Sequence, residues 1–224
     1  MLKSRELLDE FRTVFAGQNS FLDAILPPII FLLVNGLAGF QAAMGSALFV
    51  SVLFAIVRII RKQSLLYAFT GVGSVLAAIG IVWLLGKSEG FFLPGLVSGS
   101  TTLLLTIASL LIRRPMVAWT SYLARRWPLD WYWHPQVQPA YSEVTFVWAL
   151  FFAARLLLQF SFFESSQVNS LAIINFITGW PATILLLIFS YLYGTWRLAQ
   201  LRGPSVEEFR NETPAPWQSQ RRGF

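Results

Sequence analysis

The chain has 224 residues, 55% of them hydrophobic and 12% charged, with a mean hydropathy of +0.59 and a net charge of +6. A soluble domain carries about 25% charged residues, so this chain lacks the polar surface to cover itself in water, and lipid is the solvent it fits. No cysteine excludes disulfides, thiolate metal sites and cysteine nucleophiles, and the single histidine, His134, leaves no histidine-based metal site.

Residues 1–20 mix Glu6, Asp9 and Glu10 with Lys3, Arg5 and Arg12, which is not the pattern of a signal peptide. Leu7, Leu8, Phe11, Val14 and Phe15 recur at helical spacing, so this segment is predicted to be an amphipathic interfacial helix. A transmembrane domain then fills 21–196. About 20 apolar residues cross a hydrocarbon core of about 30 Å, and six segments meet or approach that length: 21–39, 42–60, 65–85, 91–112, 144–163 and 170–196. The first is short and carries Pro27 and Pro28, so a full crossing and a re-entrant segment both fit it. A tight turn around Gly36 and Gly39 joins it to the second. Gly71, Gly73, Ala77, Ala78 and Gly80 suit the third span to close helix packing.

Between the fourth and fifth spans, residues 115–143 carry Trp119, Trp127, Trp131, Tyr132, Trp133 and Tyr141. Aromatics at that density suit the headgroup zone. The expectation is an interfacial cytoplasmic loop with one in-plane helix over 115–126 and an irregular remainder. The tail, 197–224, is basic and contains Pro204, Pro214 and Pro216; it is expected to be cytoplasmic and largely disordered.

Alternating the loops across the bilayer puts all but Lys87 and Arg155 of the 17 basic residues on the side of the N-terminus. Basic residues mark the cytoplasmic face. The predicted fold is therefore all-α: a polytopic helical membrane protein of about six spans in three hairpins, N-in and C-in, in the bacterial cytoplasmic (inner) membrane.

Arg155 lies inside one of these spans. A guanidinium stays charged there at a cost of roughly 2.5 kcal/mol or more, so something must offset it. Glu89 in the external loop is the first candidate partner, with Glu164 a further one, while Asp23 is better placed to pair with Arg58. Gln159 stacks one turn from Arg155 on the same helix face. Asn175, Asn35 and the hydroxyls of Ser98, Ser100, Thr101 and Thr102 fall at depths that allow a shared polar layer. Two readings stand: ion pairs that pin helices, or an Arg155 site for an anionic substrate or lipid headgroup. Pro27, Pro28, Pro94 and Pro181 mark candidate helix breaks, which free backbone groups for ligands in transporters but are also merely architectural in membrane helices.

No phosphate-binding loop, metalloprotease helix or nucleophile elbow occurs. The chain is expected not to be an enzyme and to hold no cofactor or metal. Basic residues are not interleaved with base-stacking aromatics, so nucleic acid is not an expected partner. Membrane lipids are, together with membrane-protein partners or a second copy of the chain.

Asp23-x-x-Leu26-Pro27-Pro28, Val57-Arg58, Glu89-Gly90-Phe91-Phe92-Leu93-Pro94-Gly95, Arg113-Arg114-Pro115 and Trp148 with Arg155 together resemble a bacterial membrane-protein family that carries a domain-of-unknown-function label. The resemblance covers about residues 20–200. More distantly, Arg113-Arg114-Pro115 followed by Trp148-Ala149-Leu150-Phe151-Phe152 looks like the intracellular septation protein A family, inner-membrane proteins associated with envelope integrity and division. This chain departs from that family in length and in its proline-bearing first span. The resemblance implies a non-enzymatic envelope or septation-related scaffold acting through lipids or protein partners. The alternatives are a small secondary transporter or channel with an anion site at Arg155, and an accessory subunit of a larger membrane complex.

Overall fold

A computed structural model describes residues 20–60, 65–165 and 167–224, with the side chains of 20–29, 32 and 65–71 left aside. The chain is all-helical, with no strand among the described residues. The elements are α1 (Ser20–Ile60), α2 (Leu65–Leu85), a 3-10 turn (Ser88–Phe92), α3 (Leu93–Leu111), α4 (Met116–Arg125), α5 (Leu129–Tyr132), α6 (Gln138–Glu164), α7 (Val168–Ile177), α8 (Trp180–Leu201) and α9 (Val206–Arg210). They form two units. One runs up to Pro94 and includes Phe162–Trp180; the other joins Gly95–Ser161 to Pro181–Phe224.

In the first unit, α1 is two helices joined at Gly39, whose backbone (φ 83°, ψ 173°) lies where only glycine sits without strain. Phe31 before the break meets Phe40 after it at 6.1 Å and shares a buried cluster with Ala43, Ala47 and Ala172 of α7. A straight helix would hold Phe31 and Ala43 about 18 Å apart, so the chain doubles back at Gly39, as the expected turn there requires. The small alanines let the helices approach closely. The 3-10 turn returns over the end of α2, and its Phe91 stacks on Phe31 at 5.1 Å while Phe92 meets the same ring edge-on at 6.0 Å.

The second unit is held by a core that joins the ends of two long apolar helices to the segments before and after them. Val117 and Ala118 of α4, Trp131 and Tyr132 of α5, Val137, Ala140, Tyr141 and Val144 around the start of α6, Leu198 of α8 and Val206 of α9 are all buried together. We term this the cap. Its α4 is helical over most of 115–126, where a helix is expected. The rest of 115–143 does not remain irregular at a lipid surface: Pro128 precedes α5, and Trp131, Tyr132 and Tyr141 are fully enclosed, because the rings find one another and a tail to cover them. The tail also departs from the disorder expected of it. Ser205 caps α9 in a reciprocal box with Glu208, which satisfies backbone donors that an unstructured tail would leave to water. Trp131 Nε1 donates to the Pro204 carbonyl at 2.8 Å.

Four helical stretches among the described residues are long and apolar enough to cross a membrane: Leu33–Ile60, Ser88–Leu111, Gln138–Glu164 and Val168–Leu201; Val72–Leu85 is a shorter apolar helix. Leu33–Ile60 contains the Gly39 break, and Val168–Leu201 contains the interruption between α7 and α8 at Thr178 and Gly179. Along them Phe49, Leu104, Leu105, Leu157 and Leu185 are exposed. That is the surface of a protein solvated by lipid, and it marks the chain as a membrane protein.

Candidate functional site

The residues singled out by sequence are distributed between the two units. In the first, Asn35 donates to the side chain of Asn169, tying α1 to α7. Asn175 stands half-buried on α7. Glu89 is buried in the 3-10 turn, 8% exposed. The side chains of Asp23, Pro27 and Pro28 lie outside the described residues, so the expected Asp23–Arg58 pair does too. The backbone passes helically through 27–28, and the interruption in α1 falls at Gly39 instead. A proline in a membrane helix is accommodated by its neighbours, whereas the Gly39 backbone has no helical continuation.

In the second unit, Arg155 is half-buried on α6 and meets no acidic or hydrogen-bonding partner within its own unit among the described residues. One turn away Gln159 is 2% exposed. Helix α3 packs there: a Cβ on Gly99 would stand 3.4 Å from Leu156 Cδ1 and 3.8 Å from Gln159 Oε1. The expected hydroxyl layer of α3 is largely spent on its own backbone. Ser100, Thr101 and Thr102 donate to the carbonyls of Leu96, Val97 and Ser98, each at 2.9 Å. Pro94 and Pro181 fall in the first turns of α3 and α8, where a missing N–H leaves no helical bond unmade. They start helices rather than break them; the discontinuity near Pro181 is the two-residue gap before α8.

A stronger polar constellation lies at the other end of α6. Glu143 accepts a fork from Arg197 of α8, with Arg197 Nε to Oε2 at 2.8 Å and Nη2 to Oε1 at 2.8 Å. Tyr193 Oη donates to the same carboxylate at 2.7 Å. Five residues along α6 Trp148 Nε1 donates to Ser190 Oγ at 2.8 Å, so α6 and α8 run antiparallel and locked in register. Beside the fork is a groove of about 480 Å³ lined by Ser142, Glu143, Phe146, Val147, Phe189 and Tyr193. Sequence reasoning missed this cluster, although a signal was present. Glu143 directly precedes one predicted span and Arg197 directly follows another, which places them at one depth.

The cap supplies the second arrangement. Tyr132 Oη and Ser121 Oγ are hydrogen-bonded at 3.1 Å, and burial pushes the Tyr132 hydroxyl up from its ordinary pKa against the opposing pull of Ser121 and Arg125. Phe224 stacks on Tyr141 at 4.3 Å, nearly coplanar, and Arg125 Nε donates to the Phe224 carbonyl at 3.1 Å. The same ring lies over Gly194, where a Cβ would come within 2.3 Å of it, so only glycine admits the tail. His134 meets Trp217 edge-on at 5.3 Å, and burial lowers its pKa. Glu208 accepts from Gln218 N and Ser205 N, each at 2.8 Å, and these backbone donors hold its carboxyl below the ordinary range. Among the described residues no group of three or more His, Cys, Asp or Glu is placed to hold a metal ion.

No curated protein and no solved structure matches the chain. Residues 15–198, all but the two ends, match the family described as Protein of unknown function (DUF3159). That stretch contains Arg155, Gln159, the Glu143–Arg197 fork and the aromatic core of the cap, and the chain belongs to this family.

Proposed function

We propose that this is a six-span inner-membrane protein with both ends in the cytoplasm, serving without catalysis as an envelope scaffold whose cap meets lipids and partner proteins. The observation that carries this reading is where the order lies. The tightest packing of the second unit is in the cap, among Trp131, Tyr132, Tyr141 and the docked tail, rather than around a polar chamber between spans. A rigid aromatic platform at the end of two registered helices suits presentation to partners. The basic residues concentrate on the cap's side of the chain, and this supports the inward orientation. The likeness of Arg113-Arg114-Pro115 and Trp148–Phe152 to septation protein A agrees with an envelope role.

Transport of an anion through a site at Arg155 is the second reading, favoured by a guanidinium with no acidic partner in its own unit beside the buried Gln159. An accessory subunit of a larger complex is a variant of the scaffold. Native mass spectrometry of the protein released from its own membranes, wild type beside Arg155→Leu, separates these readings. Bound protein subunits retained by both forms are the expected result. A small anion carried by wild type and lost from the folded variant would replace the scaffold with a transporter.

A further inference from the structure

Between α9 and the last turn of the tail lies a cleft of about 440 Å³ lined by Trp127, residues 205–207 and 210, and residues 218–222. Three arginines line it, Arg210, Arg221 and Arg222, against one acidic residue, Glu207. Exposed arginines by themselves mark only a solvated basic face. Here two further facts apply. The wall that carries Arg221 and Arg222 is fixed at both ends: Gln218 N donates to Glu208 Oε1 at 2.8 Å, Val206 N donates to Gln220 Oε1 at 3.1 Å, and Phe224 is stacked on Tyr141. Ser219, between them, takes a left-handed backbone (φ 66°) that costs a non-glycine residue energy. Its side chain is 7% exposed and has no hydrogen-bond partner among the described residues, though it lines the cleft. A hydroxyl on a largely enclosed residue, with no protein partner and at an arginine-walled cleft, fits a ligand that accepts hydrogen bonds.

We infer that this cleft binds a phosphate diester, and that the diester is the headgroup of an anionic membrane phospholipid. Guanidiniums match phosphate oxygens in paired, parallel N–H···O bonds, and they are less strongly hydrated than ammonium groups. The volume lies within the ordinary range for small-ligand sites, about 300–1,000 Å³, which admits a glycerophosphate headgroup with its acyl chains left in the bilayer. Trp127 in the wall supplies the indole that settles at headgroup depth. The inference rests on the scaffold reading, in which the cap faces lipid, and names the lipid that it meets.

The test uses the full chain in nanodiscs, where both leaflets are accessible and the result does not depend on orientation. Retention of phosphatidylglycerol against phosphatidylcholine is read by native mass spectrometry after detergent release. Wild type is expected to retain phosphatidylglycerol preferentially, and Arg221→Gln with Arg222→Gln to weaken retention about twenty-five-fold, since each arginine at an anionic surface contributes about fivefold. The deciding variants keep every arginine. Phe224→Ala removes the ring that anchors the tail, and Gly194→Ala blocks its seat; both should lose the preference although the charge is unchanged. Wild-type preference in both would show a diffuse basic surface and overturn the cleft. Saturation by inorganic phosphate with no lipid preference would overturn the headgroup assignment in favour of a soluble phosphate. Loss of the scaffold reading through an anion carried at Arg155 leaves each of these outcomes readable.

Discussion

Two side chains of the cap tie its tail to the proton concentration. Glu208 holds two backbone N–H groups as a carboxylate, so its folded pKa is depressed; the stability this contributes is present above the unfolded value and is lost as pH falls through the folded one. His134, neutral beside Trp217, is also depressed, here by burial, so the unfolded chain again takes up protons first and stability again falls with pH. The tail is therefore expected to loosen on acidification in two stages, the first just below the ordinary histidine pKa and the second in the carboxylate range. Limited proteolysis of the tail across a pH series reads this directly, with Glu208→Gln abolishing the lower stage. Protection that stays constant down to the carboxylate range would remove His134 from the account, and constancy through that range would remove Glu208 as well. Of these residue-level facts the sequence showed little. The capping box at Ser205 and Glu208 lies in a tail expected to be disordered, and Glu208 also takes the Gln218 N–H from ten residues away.

Among elements, the pairing of α6 with α8 is set by polar contacts at one end of apolar helices. In lipid, apolar faces have little preference for one another, so the Glu143–Arg197 fork and the Trp148–Ser190 bond carry the register. Arg197→Ala leaves a partly exposed carboxylate without its fork, and a lower melting temperature is the expected result. Arg197→Lys should recover part of the loss, because an ammonium keeps the charge but not the paired geometry. Thermal unfolding in detergent compares the two, and equal melting temperatures for wild type and Arg197→Ala would leave the register to packing alone. Helix positions were legible from hydropathy: 65–85 was anticipated to the residue as α2, and the Gly39 turn fell where expected. The cap was not legible. A tryptophan beside proline has the same composition in a headgroup belt as in a core, and what decides between them is Val206 and Phe224, remote in sequence. Gly203 illustrates the same gap. A Cβ there would stand 2.8 Å from the Gln136 carbonyl, a close approach that no local pattern announces.

For the whole molecule, the six-span topology has a direct test that the composition makes easy, since the chain has no cysteine to remove. Single replacements Lys87→Cys and Thr213→Cys are expected to react with a membrane-impermeant maleimide from opposite sides, Lys87→Cys from outside intact cells and Thr213→Cys only after they are opened. Labelling of both from one side would mean an even number of crossings between them and would discard the three-hairpin arrangement. The likeness seen in residues 20–200 and the match over 15–198 coincide, so the membrane domain was the recognisable part and the tail the part left to physical reasoning.

The two units are threaded through each other in sequence, and this gives the cap a timetable. Its rings at Trp131, Tyr132 and Tyr141 are made first, then the segment Phe162–Trp180 that belongs to the other unit, and only afterwards the residues that cover them. At about 5–20 residues per second, the interval between Tyr141 and Phe224 is about 4–17 seconds. A growing chain thus carries a cluster of uncovered indoles and phenols at the lipid boundary while its last helix is still being inserted. Their dry interior is complete only when the tail emerges.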